Sequence, residues 1–167
     1  MQPKRVLVAL AGSSADPDVI RLVAWIAKPA KAEVVGIHVI EVRWNLPLDA
    51  VMEQELDRGE ELLESAKKVA DQAGLELETE LLQARDAAAA IVDTAVERKC
   101  DLIVVAMPYR KRLGRVYVGR TVQNVYVNAP CAVLAYRQEE NRLTSSSSGM
   151  AVWVDSSRDS STPRGIA

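Results

Sequence analysis

The chain has no phenylalanine, one histidine (His38) and two cysteines (Cys100 and Cys131) among its 167 residues. Each scarcity excludes something. Without Phe, the core must be filled by Leu, Val, Ile and Ala. One histidine and no CxxC pair argue against a zinc site, and no metal ligands are expected. Two cysteines can form at most one disulfide, so no disulfide framework holds the fold; buried, reduced thiols fit better. No apolar run approaches the roughly 20 residues that span a bilayer. The apolar run after the N-terminal MQPKR is too short for the core of a secretion signal. The expectation is a cytoplasmic protein with no membrane insertion. The net charge of -2 argues against a general polyanion binder, and no nucleic-acid partner is expected. No GxSxG elbow and no GxxxxGK(S/T) loop occur, so serine hydrolase and P-loop chemistry lack their motifs.

What is present alternates between two periods. Residues 5–10 (RVLVAL) read as a strand buried on both faces. AGSSADP follows as a turn, with Ser14 or Asp16 as helix cap and Pro17 in the first turn. The first helix reaches about Ala27 on an apolar face of Val19, Ile20, Val23, Ile26 and Ala27, and Pro29 helps to end it. Trp25 is expected in or near the core. Residues 33–42 (EVVGIHVIEV) form the second strand, with His38 packed and hydrogen-bonded inside it. A loop with Trp44, able to line a crevice, precedes a long helix from about Asp49 to Ala73, stopped by Gly74. The Glu residues of that helix belong to its solvated side.

Residues 75–82 alternate leucine with glutamate and read as a third strand near a sheet edge. A helix over 86–98 opens with Asp86. Residues 102–106 are the fourth strand, 120–127 a helix, and 131–136 (CAVLAY) the fifth strand. This β-α alternation predicts an α/β fold: an open parallel sheet with right-handed crossovers and helices on both faces. Residues 1–137 form that domain. Residues 138–167 hold eight serines against three in the first 137, and read as a mostly disordered tail.

Residues 106–121 (AMPYRKRLGRVYVGRT) join the fourth strand to its helix, where open α/β sheets form their ligand crevice. The stretch carries Gly114, Gly119 and five cations, Arg110, Lys111, Arg112, Arg115 and Arg120. The expected crevice is formed by Ala9, Leu10, Ala11, Gly12 and Ser13 after the first strand, by Val39, and by Ala106, Met107, Tyr109, Arg110, Gly119, Arg120, Thr121 and Val122. Ser13 and Ser14 can reach a ligand phosphate or cap the helix.

Four segments, RVLVALAGS, VVGIHVIEV, RDAAAAIVDTAVERKCDLIVVA and GRTVQNVYVNAPCAVLAY, resemble the universal stress protein family in order and spacing. The resemblance covers residues 5–137. It implies a Rossmann-like five-stranded sheet of order 3-2-1-4-5. It also implies a homodimer through Cys131, Ala132, Val133, Leu134, Ala135 and Tyr136 of the fifth strand. Some members bind ATP through a glycine, two residues, glycine, nine residues, glycine, then Ser or Thr. Here those positions are Ala106, Tyr109, Gly119 and Arg120, and the family's first-strand acid is Ala11. The glycines that let backbone amides approach phosphate are mostly gone. The five cations are either a solvated basic loop or guanidinium forks that take the place of the lost amides. The resemblance therefore implies a regulatory binding domain, not an enzyme. Its ligand is an adenine nucleotide other than ATP held in the usual way, a cyclic dinucleotide, or the acidic surface of a partner protein. An ATP-dependent switch with weak hydrolase activity and a ligand-free dimerisation domain are the alternatives. IHVIEVRWNLPLDA and PYRKRLG are also similar to universal-stress domains attached to amino-acid permease type transporters, which adds a membrane transporter to the partners considered.

Overall fold

The computed structural model describes residues 2–107, 111–112, 115–116 and 118–138. Strand β1 (Arg5–Ala9) leads through a turn into α1 (Asp16–Ala30), then β2 (Glu33–Glu41), α2 (Glu53–Gln72), β3 (Glu78–Ala84) and α3 (Ala87–Glu97). Strand β4 (Leu102–Met107) is followed by two short strands, β5 (Lys111–Arg112) and β6 (Arg115–Val116), then α4 (Arg120–Asn128) and β7 (Ala132–Arg137). The five long strands form one sheet of order β3-β2-β1-β4-β7, every neighbour parallel. This is the expected order 3-2-1-4-5. The stretch over residues 106–121 differs from a plain loop: β5 and β6 pair as an antiparallel ribbon, Lys111 opposite Val116 and Arg112 opposite Arg115. The proposed disordered tail lies outside the described residues, apart from Gln138.

Alternation along β1 builds two cores. Val6, Val8 and Leu10 pack with Val19, Ile20 and Val23 of α1 and with Leu63, Ala66 and Ala70 of α2. Leu7 faces the other side, with Ile37 and Ile103, against Ala88, Ile91 and Ala95 of α3 and Val125 of α4. Small residues on α2 and α3 let the helices lie close to a sheet rich in branched side chains, which is how a core without Phe stays filled.

Boundaries moved in three places. The third strand begins at Glu78, not at Leu75; Leu75 and Leu77 are buried in the approach to it, where they pack under α2. The long helix starts at Glu53, because Pro47 and the segment after it stay non-helical. The first helix runs through Pro29 to Ala30 and stops at Lys31, which takes a left-handed φ of 50°. Gly74, φ 66°, ends α2 as expected: Leu75 N–H donates to Ala70 O (2.9 Å) and Gly74 N–H to Asp71 O (2.9 Å). Trp25 is not core. Two positions past Val23, it lies about 200° round the helix and is 75% exposed.

The amino ends of the strands are held by charge. Asp101 accepts the backbone N–H groups of Lys4 (2.7 Å) and Arg5 (3.1 Å). At the end of α3, Arg98 donates to Glu78 and Glu80 of β3, each at 2.8 Å. Those carboxylates raise the Arg98 pKa, Glu78 most. Truncating a buried leucine such as Leu7 costs about 2–5 kcal/mol, against about 0.2–1 kcal/mol for an exposed ion pair. The core therefore decides whether the fold forms, and Arg98 tunes the edge. We expect R98A to lower unfolding free energy in urea by about 1 kcal/mol at low salt, with most of the loss gone in high salt. A loss that ignores salt would show that the Arg98 stem, not its charge, is what matters.

Candidate functional site

Strand β1 pairs with β2 on one side and β4 on the other. The chain leaves β1 toward α1 on one face, while α3 and α4 cover the opposite face. The carboxyl ends of β1 and β4 therefore diverge, and a crevice must open between them. It holds about 330 Å³. Ala9, Leu10, Ala11, Val39, Ala106, Thr121 and Val122 line it, as the sequence predicts. So do Ile37, His38, Glu41, Ala87, Ile91 and Val105, which the sequence reading did not place there. Period two along β2 puts Ile37, Val39 and Glu41 on one side, and Ala87 and Ile91 share a helix face four apart. Those spacings were the available signal.

Other predicted positions stand apart. Gly12 and Ser13 line a different groove, of about 460 Å³, between α1 and α2. Met107, Gly119 and Arg120 are near the crevice in sequence but do not line it. Tyr109 and Arg110 lie outside the described residues. Trp44 does not line the crevice; it is 84% exposed and its ring lies 5.4 Å from the Arg85 guanidinium. Arg85 also donates to the carbonyls of Val42 (3.3 Å), Arg43 and Leu46 (2.7 Å). One guanidinium thus gathers the loop after β2 and holds Trp44 away from the crevice.

The polar groups of the β1–α1 turn satisfy one another. Asp16 is buried and accepts from Ser13 Oγ (2.6 Å) and Gly12 N–H (2.9 Å). The cap of α1 is Ala15, with neither Ser14 nor Asp16 in that place. Ser14 Oγ instead donates to Gln138 Oε1 at 2.9 Å, tying the chain beyond β7 to this turn. His38 is the packed strand histidine expected of it: its Nδ1–H donates to Leu10 O at 2.8 Å.

Two helices point their N-termini at the crevice, in different states. Asp86 caps α3, its Oδ1 accepting from Ala89 N–H at 2.9 Å, and Glu41 Oε1 accepts from Ala87 N–H at 3.0 Å. The α4 helix starts at Gly119 with no side-chain cap. Gly119 has an ordinary φ of -62°, and a Cβ there would meet nothing within 4 Å. Arg120 is the first residue of α4, and its Nη2 lies 3.9 Å from Asp86 Oδ2.

The thiols are remote from this end. Cys100 is buried at the foot of β4, and Cys131 is half-buried before β7. Burial pushes both pKa values up, so both hold their protons at neutral pH. Among the described residues no three His, Cys, Asp or Glu side chains cluster as metal ligands, and no helix is long and apolar enough to cross a membrane.

A sequence model described as the universal stress protein family matches residues 3–137. The chain belongs to the universal stress protein family. It is 31% identical over 141 residues to a universal stress protein of Methanocaldococcus jannaschii, a match covering 81% of this chain and 82% of the relative. Among solved structures it is similar to a universal stress protein from Archaeoglobus fulgidus in complex with dAMP. The TM-score is 0.64 at 22% identity, covering 81% of this chain and 98% of that one. It is also similar to a universal stress protein in complex with cAMP, with a TM-score of 0.62 at 20% identity, covering 83% and 100%. At these identities the two structures bear on the universal stress protein fold and not on contacts to ligand.

Proposed function

We propose that this universal stress protein domain is a regulatory binding module for an adenine nucleotide carrying one phosphate, and not an enzyme. The observation that carries the reading is the crevice at the divergence of β1 and β4. Its floor, Ile37, Val39 and Val105, is apolar and suits a flat base, and the uncapped N-terminus of α4 opens beside it. Its volume of about 330 Å³ is at the small end of ligand pockets. The ligands named for two relatives, dAMP and cAMP, are monophosphates and support the same class.

In this reading the triphosphate loop is degenerate. Ala106, Tyr109 and Arg120 stand where ATP-binding relatives have two glycines and a hydroxyl, and Ala11 stands for their acid. Arg120 supplies a side-chain cation in place of backbone amides. Ser13 and its acceptor Asp16 line the groove between α1 and α2 and not the crevice, and His38 donates to a backbone carbonyl, so neither offers a nucleophile–base pair to the ligand. The module acts in the cytoplasm, alone or beside a transporter.

The module is also read as a homodimer through β7, which forms one edge of the sheet. Gln138 N–H donates to Met107 O on β4. Counting back by two, the N–H groups of Val133 and Ala135 point away from β4. A short apolar edge of this kind is suited to pairing with its own copy.

Calorimetry at two salt concentrations, with ATP, AMP, cyclic AMP and a cyclic dinucleotide, tests the ligand class. AMP or cyclic AMP should bind, ATP should bind no tighter, and R120A should weaken binding about tenfold and flatten its salt dependence. ATP binding far tighter than AMP would contradict the degenerate-loop reading. For the dimer, V133P removes an outward donor without touching the β4 ladder. Sedimentation should show a weakened dimer; one of unchanged strength places the interface elsewhere.

A further inference from the structure

Among the described residues the crevice wall carries one carboxylate, Glu41. It is the last residue of β2, on the same side of the sheet as Ile37 and Val39. Its Oε1 is held by the Ala87 N–H at 3.0 Å. With Asp86 on the Ala89 N–H, the N-terminus of α3 is answered by two carboxylates of the chain itself. Asp86 also faces Arg120 at 3.9 Å, while a phosphate placed in the crevice at this side meets the Glu41 carboxylate and engaged amides. The α4 end is the reverse, with no side-chain cap and Arg120 as its first residue. The two helix starts are joined at their rim, where Arg120 Nη2 lies 3.9 Å from Asp86 Oδ2. The crevice therefore carries its carboxylate, Glu41, on the α3 side, and the start of α4 lies across from it.

We propose that Glu41 is the specificity residue of this crevice. It accepts a hydrogen bond from a neutral O–H or N–H donor on the nucleoside and so sets the direction in which the ligand lies. The inference rests on the nucleotide-binding reading above. A carboxylate has about four acceptor positions, so the Ala87 N–H leaves Glu41 with capacity to spare. That bond also restricts the side chain before ligand arrives, which lowers the entropy lost on binding. A ribose hydroxyl and an exocyclic amine present the same chemistry to it. The competing role is a purely structural one, closing the end of α3. Such a role would affect every ligand alike, whereas recognition of a donor affects only ligands that carry it.

Calorimetry on wild-type protein and E41Q separates the two, using AMP, 2′-deoxy-AMP, 3′-deoxy-AMP and purine riboside 5′-monophosphate as probes. Glutamine keeps the length and an oxygen for Ala87 N–H, but exchanges a charged acceptor for a neutral one. E41Q should weaken AMP binding about tenfold. The probe lacking the recognised donor should bind wild type and E41Q within about twofold of each other, which identifies the donor. D86N, which keeps a helix cap and lies outside the crevice wall, should shift all four probes alike. If E41Q melts early, E41D carries the same comparison between probes. Equal effects of E41Q on all probes, or unchanged AMP affinity, overturn the inference and leave the nucleotide reading standing. Wild-type protein that binds none of the probes overturns the nucleotide reading, and this inference with it.

Discussion

Everything in the fold follows from burying β1 on both faces. Its side chains alternate between two cores, so helices must cover the sheet above and below. Right-handed crossovers then send α1 to one face and α3 to the other, with β2 and β4 flanking β1. The divergence of β1 and β4 at their carboxyl ends is a consequence of that wiring. A crevice there needs no special residues to exist. What the residues decide is its chemistry.

That chemistry is set by which polar groups are already engaged. The turn after β1 contains two serines, an aspartate and a glycine, a composition suited to phosphate. Ser13, Gly12 and Asp16 instead bond among themselves, and Ser14 bonds to Gln138. The start of α3 is closed by Glu41 and Asp86. The α4 terminus is left with no side-chain cap, beside a floor of Ile37, Val39 and Val105. A helix start favours an anion, so α4 is the end that the phosphate of the proposed ligand would face.

The sheet order and the element sequence were legible because the central strands are short, branched and bounded by turns. The family resemblance strengthened what the alternation already implied. The crevice was legible at the ends of β1 and β4, as at Ala9 and Ala106, and at the start of α4, as at Thr121. Glu41 and Ala87 escaped because they meet only through the fold, the end of β2 bonding to the start of α3 across 46 residues. Trp25 and Trp44 were misplaced for a different reason. Size and apolarity favour burial on average, but helix phase exposes one and the Arg85 guanidinium holds the other outside. Gly12 and Ser13 follow the first strand directly, yet α1 turns them toward α2.

Ligand is proposed to enter the crevice between β1 and β4. Backbone amide shifts in an NMR titration with AMP test it most directly. The account predicts saturable shifts at Ala9–Ala11, Ile37–Val39 and Thr121–Val122, with the groove between α1 and α2 unmoved. Shifts centred instead on Arg58, Glu61 and Ser65 of that groove would contradict it.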